Sequence, residues 1–249
     1  MRRAATYAAV IALTLLAWWA LTATRAVAPI IVPPVGAVVS ALRIQLADPA
    51  TWADAMGLTT ARTAAGFLIA TLAAVPLGIG LGRSSLLTRA YEPLLATVAA
   101  VPLVILYPVL AATLGIGTSS KMVLGGVYAF FPVAIAATRA VGQVDPNLVT
   151  AMRSMGSRGL HLVRTVIVPS ALPGIVAGLR VGLGLALVTV IAGEFIAGSS
   201  GVGYQLAASS QGYQSADLFA WVVLAVALTV AVNAAFTIFS SLLERILRR

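Results

Sequence analysis

The chain has 249 residues, of which 60% are hydrophobic and only 9% are charged. Soluble domains carry about 25% charged residues, so this composition excludes a soluble globule, and the absence of cysteine excludes a disulfide scaffold. The net charge of +9 comes from basic residues spread singly between apolar runs, which argues against a nucleic-acid-binding face and for charges at membrane boundaries. The sequence therefore predicts an all-α, polytopic membrane protein.

Six membrane-spanning helices are predicted from the uncharged runs, because a spanning helix needs about 20 mostly apolar residues. In chain order these spans are residues 4–24, 63–82, 93–120, 122–138, 172–195 and 218–243. The first run is longer than the apolar core of a secretory signal peptide and is interpreted as a span. In the third, Pro102 and Pro108 are expected to break or kink the helix.

The distribution of basic residues predicts the orientation of the chain. With six crossings and the N-terminus inside, 12 of the 16 basic residues lie on the inner side, and the outer side holds Arg25, Arg43, Arg62 and Lys121. This asymmetry obeys the positive-inside rule. Both termini are therefore expected in the cytoplasm.

Small residues recur at every fourth position in two of the predicted spans, which lets two helix backbones approach closely in lipid. In the second span they are Gly66, Ala70, Ala74, Gly78 and Gly82. In the fifth they are Gly174, Gly178, Gly182 and Ala186. Both stripes are predicted to be helix-packing faces.

The one long inner loop, residues 139–170, is predicted to contain two short helices. Asp145 can cap the first, Pro146 suits its first position and Gly156 suits the residue after its end. One helical face then carries Leu148, Ala151, Met152 and Met155. A second helix, residues 159–168, is expected to be stopped by Pro169 and Pro173. The apolar face either fills a groove on a partner protein or lies on lipid headgroups.

The same loop resembles the signature of binding-protein-dependent ABC importer permeases. That signature reads Glu-Ala-Ala, three residues, Gly, nine residues, Ile-x-Leu-Pro, and residues 150–156 and 166–169 match its Gly and Pro spacing. Thr150 replaces the acidic residue and Met152 the second alanine. Further stretches resemble the nitrate, sulfonate and taurine subfamily: residues 32–35, 145–146, 169–173, 178–180, 193–195 and 198–204.

The resemblance implies a type I importer permease fold, with one transmembrane domain over residues 1–249 and a cytoplasmic coupling loop at about 140–170. In that family the loop docks on one of two ATP-binding subunits. The residues implied in this contact are Thr150, Ala151, Met152, Arg153, Met155, Gly156 and Pro169. No Gly-x-x-x-x-Gly-Lys-Ser/Thr phosphate loop occurs here, so ATP and Mg are expected on the partner and no cofactor on this chain.

The resemblance also implies a bacterial inner-membrane location, a second permease copy and a periplasmic or lipid-anchored substrate-binding protein. The solute would be small and anionic, such as nitrate, a sulfonate or taurine, or an aromatic or heterocyclic precursor. The alternative from the residues alone is an autonomous channel or secondary carrier, which would need functional charges in its spans. The sequence contains no set of residues typical of a catalytic site, which argues against a membrane enzyme.

Five residues are predicted to line the translocation pathway: Pro102, Tyr107, Tyr128, Phe131 and Glu194. For Glu194 a structural role, bonded to the glycine-rich turn that follows it, stays open. Arg180 is expected to reach the interface or to pair with the coupling loop. His161, the single histidine, has no neighbours at metal-ligand spacing, so no metal site is predicted.

Overall fold

The computed structural model describes residues 2–24 and 26–247, which form helices and turns without a β-strand. The α-helices are α1 (Arg2–Ala23), α2 (Val35–Ala47), α3 (Leu58–Gly82), α4 (Ser85–Ala100), α5 (Tyr107–Leu114), α6 (Thr118–Gly142), α7 (Pro146–Ser154), α8 (Gly159–Leu162), α9 (Val168–Ala197), α10 (Val202–Gln211) and α11 (Ser215–Leu247). Two π-helical turns, Thr51–Gly57 and Val163–Ile167, lead into α3 and α9, and a 3-10 turn, Leu103–Leu106, precedes α5.

The helices agree roughly with the six predicted spans. Among the described residues four helices are long and apolar enough to cross a membrane: Thr51–Gly82, Thr118–Gly142, Gly159–Ala197 and Ser215–Leu242. The pair Ser85–Ala100 and Val104–Leu114, bent by 65°, is a further span if its two halves cross together. Helix α1 covers the first predicted span.

Two predicted span boundaries are wrong because the cations taken as boundaries lie inside helices. The second span was expected to begin after Arg62, but its helix already begins at Thr51. Lys121 was expected to precede the fourth span, but it lies in the first turn of α6 and is 1% exposed. Both side chains have polar partners within the protein, described below, which removes the penalty of placing a cation at these depths.

The effects of the prolines were predicted correctly only in part. Pro102 lies at the bend between α4 and the 3-10 turn, as expected. Pro108 does not break a helix, because it lies in the first turn of α5, where its missing N–H needs no partner.

The expected stop at Pro169 and Pro173 is wrong: one continuous helical run extends from Gly159 to Ala197. Pro169 lies in the first turn of α9, directly after the π-helical turn, and Pro173 lies inside α9. A π-helical turn shifts the hydrogen-bond register, and neighbouring groups re-satisfy the backbone that a proline frees in a membrane helix.

The two small-residue stripes are helix-packing faces, as predicted, and both pack on α6, which lies between α3 and α9. A Cβ built on Gly66 would lie 2.4 Å from the Met122 carbonyl oxygen of α6. On the other side, a Cβ on Gly178 would lie 2.3 Å from the Ala136 Cβ. Helices α3, α6 and α9 therefore form the close-packed core of the fold.

We expect Gly66→Ala to destabilise the fold and Gly80→Ala to leave it unchanged or slightly more stable. The Gly66 methyl group would collide with the backbone of α6, and overpacking costs about 1–3 kcal/mol. Gly80 lies in the same helix with no atom within 4 Å of its built Cβ, and alanine is favoured over glycine by about 1 kcal/mol in a helix. Thermal unfolding in one detergent measures both; equal midpoints would contradict the close α3–α6 contact.

Candidate functional site

The loop between α6 and α9 contains the short capped helix that the sequence predicts. The Asp145 carboxylate accepts a hydrogen bond from the Asn147 N–H at 2.8 Å, which caps the start of α7. Gly156 adopts φ +87° just after its end, and the Ser157 N–H returns to the Met152 carbonyl at 2.9 Å. Only glycine adopts this left-handed conformation without strain, so both ends of α7 are fixed.

The predicted apolar face of α7 divides into an inner and an outer part. Met152, with Val149, packs against a buried cluster that includes Leu162 and Val166. Leu148 and Met155 are instead 50% and 80% exposed. The inner contacts hold α7 on the start of the α9 run, and the outer side chains remain free to meet a partner.

The other residues expected to contact the ATPase are also on the surface. Thr150, Ala151, Arg153 and Gly156 are exposed on or next to α7, and the Thr150 hydroxyl donates to the Pro146 carbonyl at 2.9 Å. Pro169 is exposed in the first turn of α9, on a different element. His161 is exposed in α8.

A buried ion pair lies at the end of the bundle opposite α7, where α3 and α6 begin and α9 ends. One guanidinium nitrogen of Arg62 lies 2.7 Å from Oε1 of Glu194, and the two side chains are 5% and 0% exposed. The Thr59 hydroxyl donates to this carboxylate at 2.8 Å, and the Gly203 N–H donates to it at 3.1 Å. Glu194 is therefore bonded to the first turn of α10, within the glycine-rich segment 198–204 that follows α9, in line with the structural alternative for this residue.

Further contacts extend this ion pair to the neighbouring elements. Arg62 donates to the Ser200 carbonyl and hydroxyl, each at 3.0 Å, and to the Thr118 hydroxyl at 3.3 Å. Lys121 donates to the carbonyls of Ile116 and Gly117, just after α5. The network joins the N-terminal ends of α3 and α6 to the C-terminal ends of α5 and α9.

Sequence reasoning missed this network because Arg62 and Lys121 were interpreted as span boundaries. The usable signal was Glu194, an acidic residue near the end of a predicted span. A carboxylate at such a depth needs a partner, and a cation near the end of another span is the natural one.

The five residues predicted to line the pathway lie in different environments. Glu194 and Tyr107 are buried, and the Tyr107 hydroxyl donates to the Ala197 carbonyl at 3.1 Å. Pro102 is exposed at the bend, and the Tyr128 hydroxyl accepts the Val104 N–H there at 2.9 Å. Phe131 lines an apolar groove of about 420 Å³ between α3 and α6.

Arg180 is an exposed cation within the long apolar run of α9. Gly178 and Gly182, on either side of it in sequence, are buried against α6 at Ala136 and Val133, so Arg180 points away from that contact. The expected pairing with the coupling loop is not observed: within residues 2–24 and 26–247 it has no ion pair or hydrogen bond.

Residues 74–249 match the family described as "Binding-protein-dependent transport system inner membrane component". The chain belongs to this family. The permease is 30% identical over 206 residues to the taurine transport system permease protein TauC of Escherichia coli K12, which covers 81% of this chain and 74% of TauC. It is 35% identical over 146 residues to SsuC of the same strain, a candidate aliphatic sulfonates transport permease, covering 59% of this chain and 54% of SsuC.

The fold of the permease matches a solved importer. An inward-facing structure of the MetNI methionine ABC transporter superposes with a TM-score of 0.68 at 21% identity, covering 82% of this chain and all of the matched chain. Together with the family, this makes the chain the permease subunit of an ABC importer and disfavours an autonomous channel or carrier. The subunit is a transport component and not an enzyme, since a separate ATPase subunit hydrolyses ATP and a binding protein delivers the solute.

Proposed function

We propose that two copies of this permease form a translocation pathway for a small anionic solute across the bacterial inner membrane. Two cytoplasmic subunits, which bind ATP and Mg, drive alternating access through α7. Both termini lie in the cytoplasm, and residues 1–249 form one domain. The observation that carries the proposal is the shape and exposure of α7.

Helix α7 has the features of a docking element. Its caps fix a nine-residue helix on a buried base, while Leu148 and Met155 keep apolar side chains exposed on the side turned away from that base. An amphipathic helix with exposed apolar anchors fits a hydrophobic groove on a protein partner. We assign the ATPase to this side, because a binding-protein-dependent importer works with an ATPase subunit and α7 is the exposed docking element.

We expect Met155→Asp to abolish recovery of the ATPase subunit with the tagged permease in a detergent pull-down. Aspartate would bring a charge into the proposed groove, where an unpaired buried charge is strongly unfavourable. Asn147→Asp introduces the same charge on another exposed position of α7 and should retain the ATPase. Equal recovery with both variants would contradict docking through the outer side of α7.

The negative charge of the proposed solute is inferred from the exposed positive charge of Arg180 on α9. The exposed side chains Ala177, Arg180, Val181 and Leu185 follow one another at helical spacing and form one stripe. An unpaired arginine within a span is unfavourable unless it faces water or a partner, so we place this stripe on the pathway between two copies. A guanidinium there favours an anion, consistent with the taurine and sulfonate names of the relatives.

A further inference from the structure

A cavity of about 410 Å³ lies between α4 and the last turn of α6. Four polar and two apolar residues line it: Thr88, Arg89, Glu92, Pro93, Ala96 and Arg139. We call it the α4–α6 cavity. Neither α7 nor the exposed stripe of α9 contributes to it, so it is separate from both surfaces described above.

The α4–α6 cavity carries more positive charge than its own residues neutralise. Arg139 donates from Nε to the Glu92 carboxylate at 2.6 Å, and both of its terminal nitrogens lack a partner in the described part of the chain. Arg89 has no ion pair or hydrogen bond within residues 2–24 and 26–247. Because a guanidinium group only donates, the cavity offers N–H groups and a net positive charge to a ligand with anionic oxygens.

The walls of the α4–α6 cavity change from charged to apolar in the direction of the membrane interior. Arg139 lies in the last turn of the span Thr118–Gly142, so the charged end of the cavity is at the membrane boundary. From there α4 runs inward, since Leu95 packs on the core cluster that contains Val133 of α6. Ala96 lies about 10 Å beyond Arg89 along this helix. A phospholipid has the same arrangement, with its phosphate at the boundary and its acyl chains directed inward.

We propose that the α4–α6 cavity binds the phosphate of an anionic phospholipid, such as phosphatidylglycerol, from the surrounding bilayer. Basic pockets between membrane helices bind anionic headgroups in this way. Arg89 and the terminal nitrogens of Arg139 donate to the phosphate oxygens, and the start of an acyl chain lies along Pro93 and Ala96. A zwitterionic lipid carries a cation beside its phosphate, which the two arginines repel. The site depends on the membrane location of the permease and not on the proposed solute or orientation.

The test is native mass spectrometry of the full-length permease in detergent with equal amounts of phosphatidylglycerol and phosphatidylcholine, because the added mass identifies the bound molecule. The wild type should prefer phosphatidylglycerol about tenfold or more, which one charge-assisted contact accounts for. The double variant Arg89→Gln/Arg139→Gln should bind the two lipids equally, to within about twofold. Glu92→Gln removes the competing carboxylate and should raise the preference about twofold or more.

A second double variant controls for the general positive charge at this end of the bundle. Arg83→Gln/Arg153→Gln removes two exposed arginines that do not line the cavity, one just after α3 and one on α7. It should keep the wild-type preference for phosphatidylglycerol. Circular dichroism with the wild-type helix content shows that each variant is folded.

Equal loss of the preference in both double variants would show that surface charge alone attracts the lipid, which would overturn the site. If inorganic phosphate or taurine, at the concentration of the lipid, displaces phosphatidylglycerol from the wild type, the cavity holds a small free anion and the proposed lipid is wrong. A wild-type permease without any preference would overturn the proposal at once. None of these results bears on the importer function, which recovery of the ATPase and solute uptake test separately.

Discussion

Replacing Glu194 with glutamine is expected to lower the free energy of unfolding by about 3–5 kcal/mol. Arg62 would keep its charge in a site that is 4% exposed, and its carboxylate partner at 2.7 Å would be gone. The neutral amide keeps one oxygen that accepts hydrogen bonds but cannot balance the charge of a buried guanidinium. Unfolding by SDS in mixed micelles, with the loss of helix followed by circular dichroism, measures the change.

The permease offers a matched control in its other ion pair. Glu92, in the middle of α4, lies 2.6 Å from Arg139 in the last turn of α6, and the two side chains are 23% and 60% exposed. Because water solvates the arginine that remains, Glu92→Gln should cost about 0–1 kcal/mol. A loss as small for Glu194→Gln as for Glu92→Gln would show that the buried Arg62–Glu194 ion pair does not hold the helices together.

Features that depend on neighbouring residues were predictable from the sequence. The caps of α7 use Asp145, Pro146 and Gly156 within one short segment, and the structure contains them as expected. The small-residue stripes were equally readable, because helical spacing alone places Gly66 and Gly78 on one face. What the spacing did not reveal is that both stripes meet the same helix, α6.

Features that depend on distant residues were not predictable in the same way. Arg62 and Glu194 are 132 positions apart, so only the folded core shows that they form a pair. The start of the second span was therefore predicted too late in the chain. Spans were read from uncharged runs, but a paired arginine can lie inside a helix. Pro169 and Pro173 were misread for a local reason: the preceding π-helical turn changes the register in which a proline must fit.

The position of Arg180 leads to the prediction with the largest effect on transport. In a reconstituted importer with its ATPase and binding protein, we expect Arg180→Gln to reduce ATP-driven uptake of the proposed anionic solute, tested with labelled taurine, about tenfold or more. One charge-assisted contact of about 1.5–3 kcal/mol to a charged group accounts for a change of that size. Arg180→Lys keeps the positive charge but loses the planar guanidinium, which can donate two parallel hydrogen bonds. Its uptake should lie between that of Arg180→Gln and that of the wild type.

The same assays separate a role in solute transfer from a role in folding or coupling. Arg180 has no partner in the described chain, so its replacement should leave the unfolding midpoint and the recovery of the ATPase unchanged. Arg83→Gln removes an exposed positive charge just after α3 and serves as the control for net charge. If Arg180→Gln transports normally, the α9 stripe does not contact the anion. If it loses the ATPase, Arg180 acts through the coupling region, and the anion-binding role is wrong. Loss of uptake with an intact complex would place the guanidinium on the path of the solute, because no other readout depends on a charge at that position.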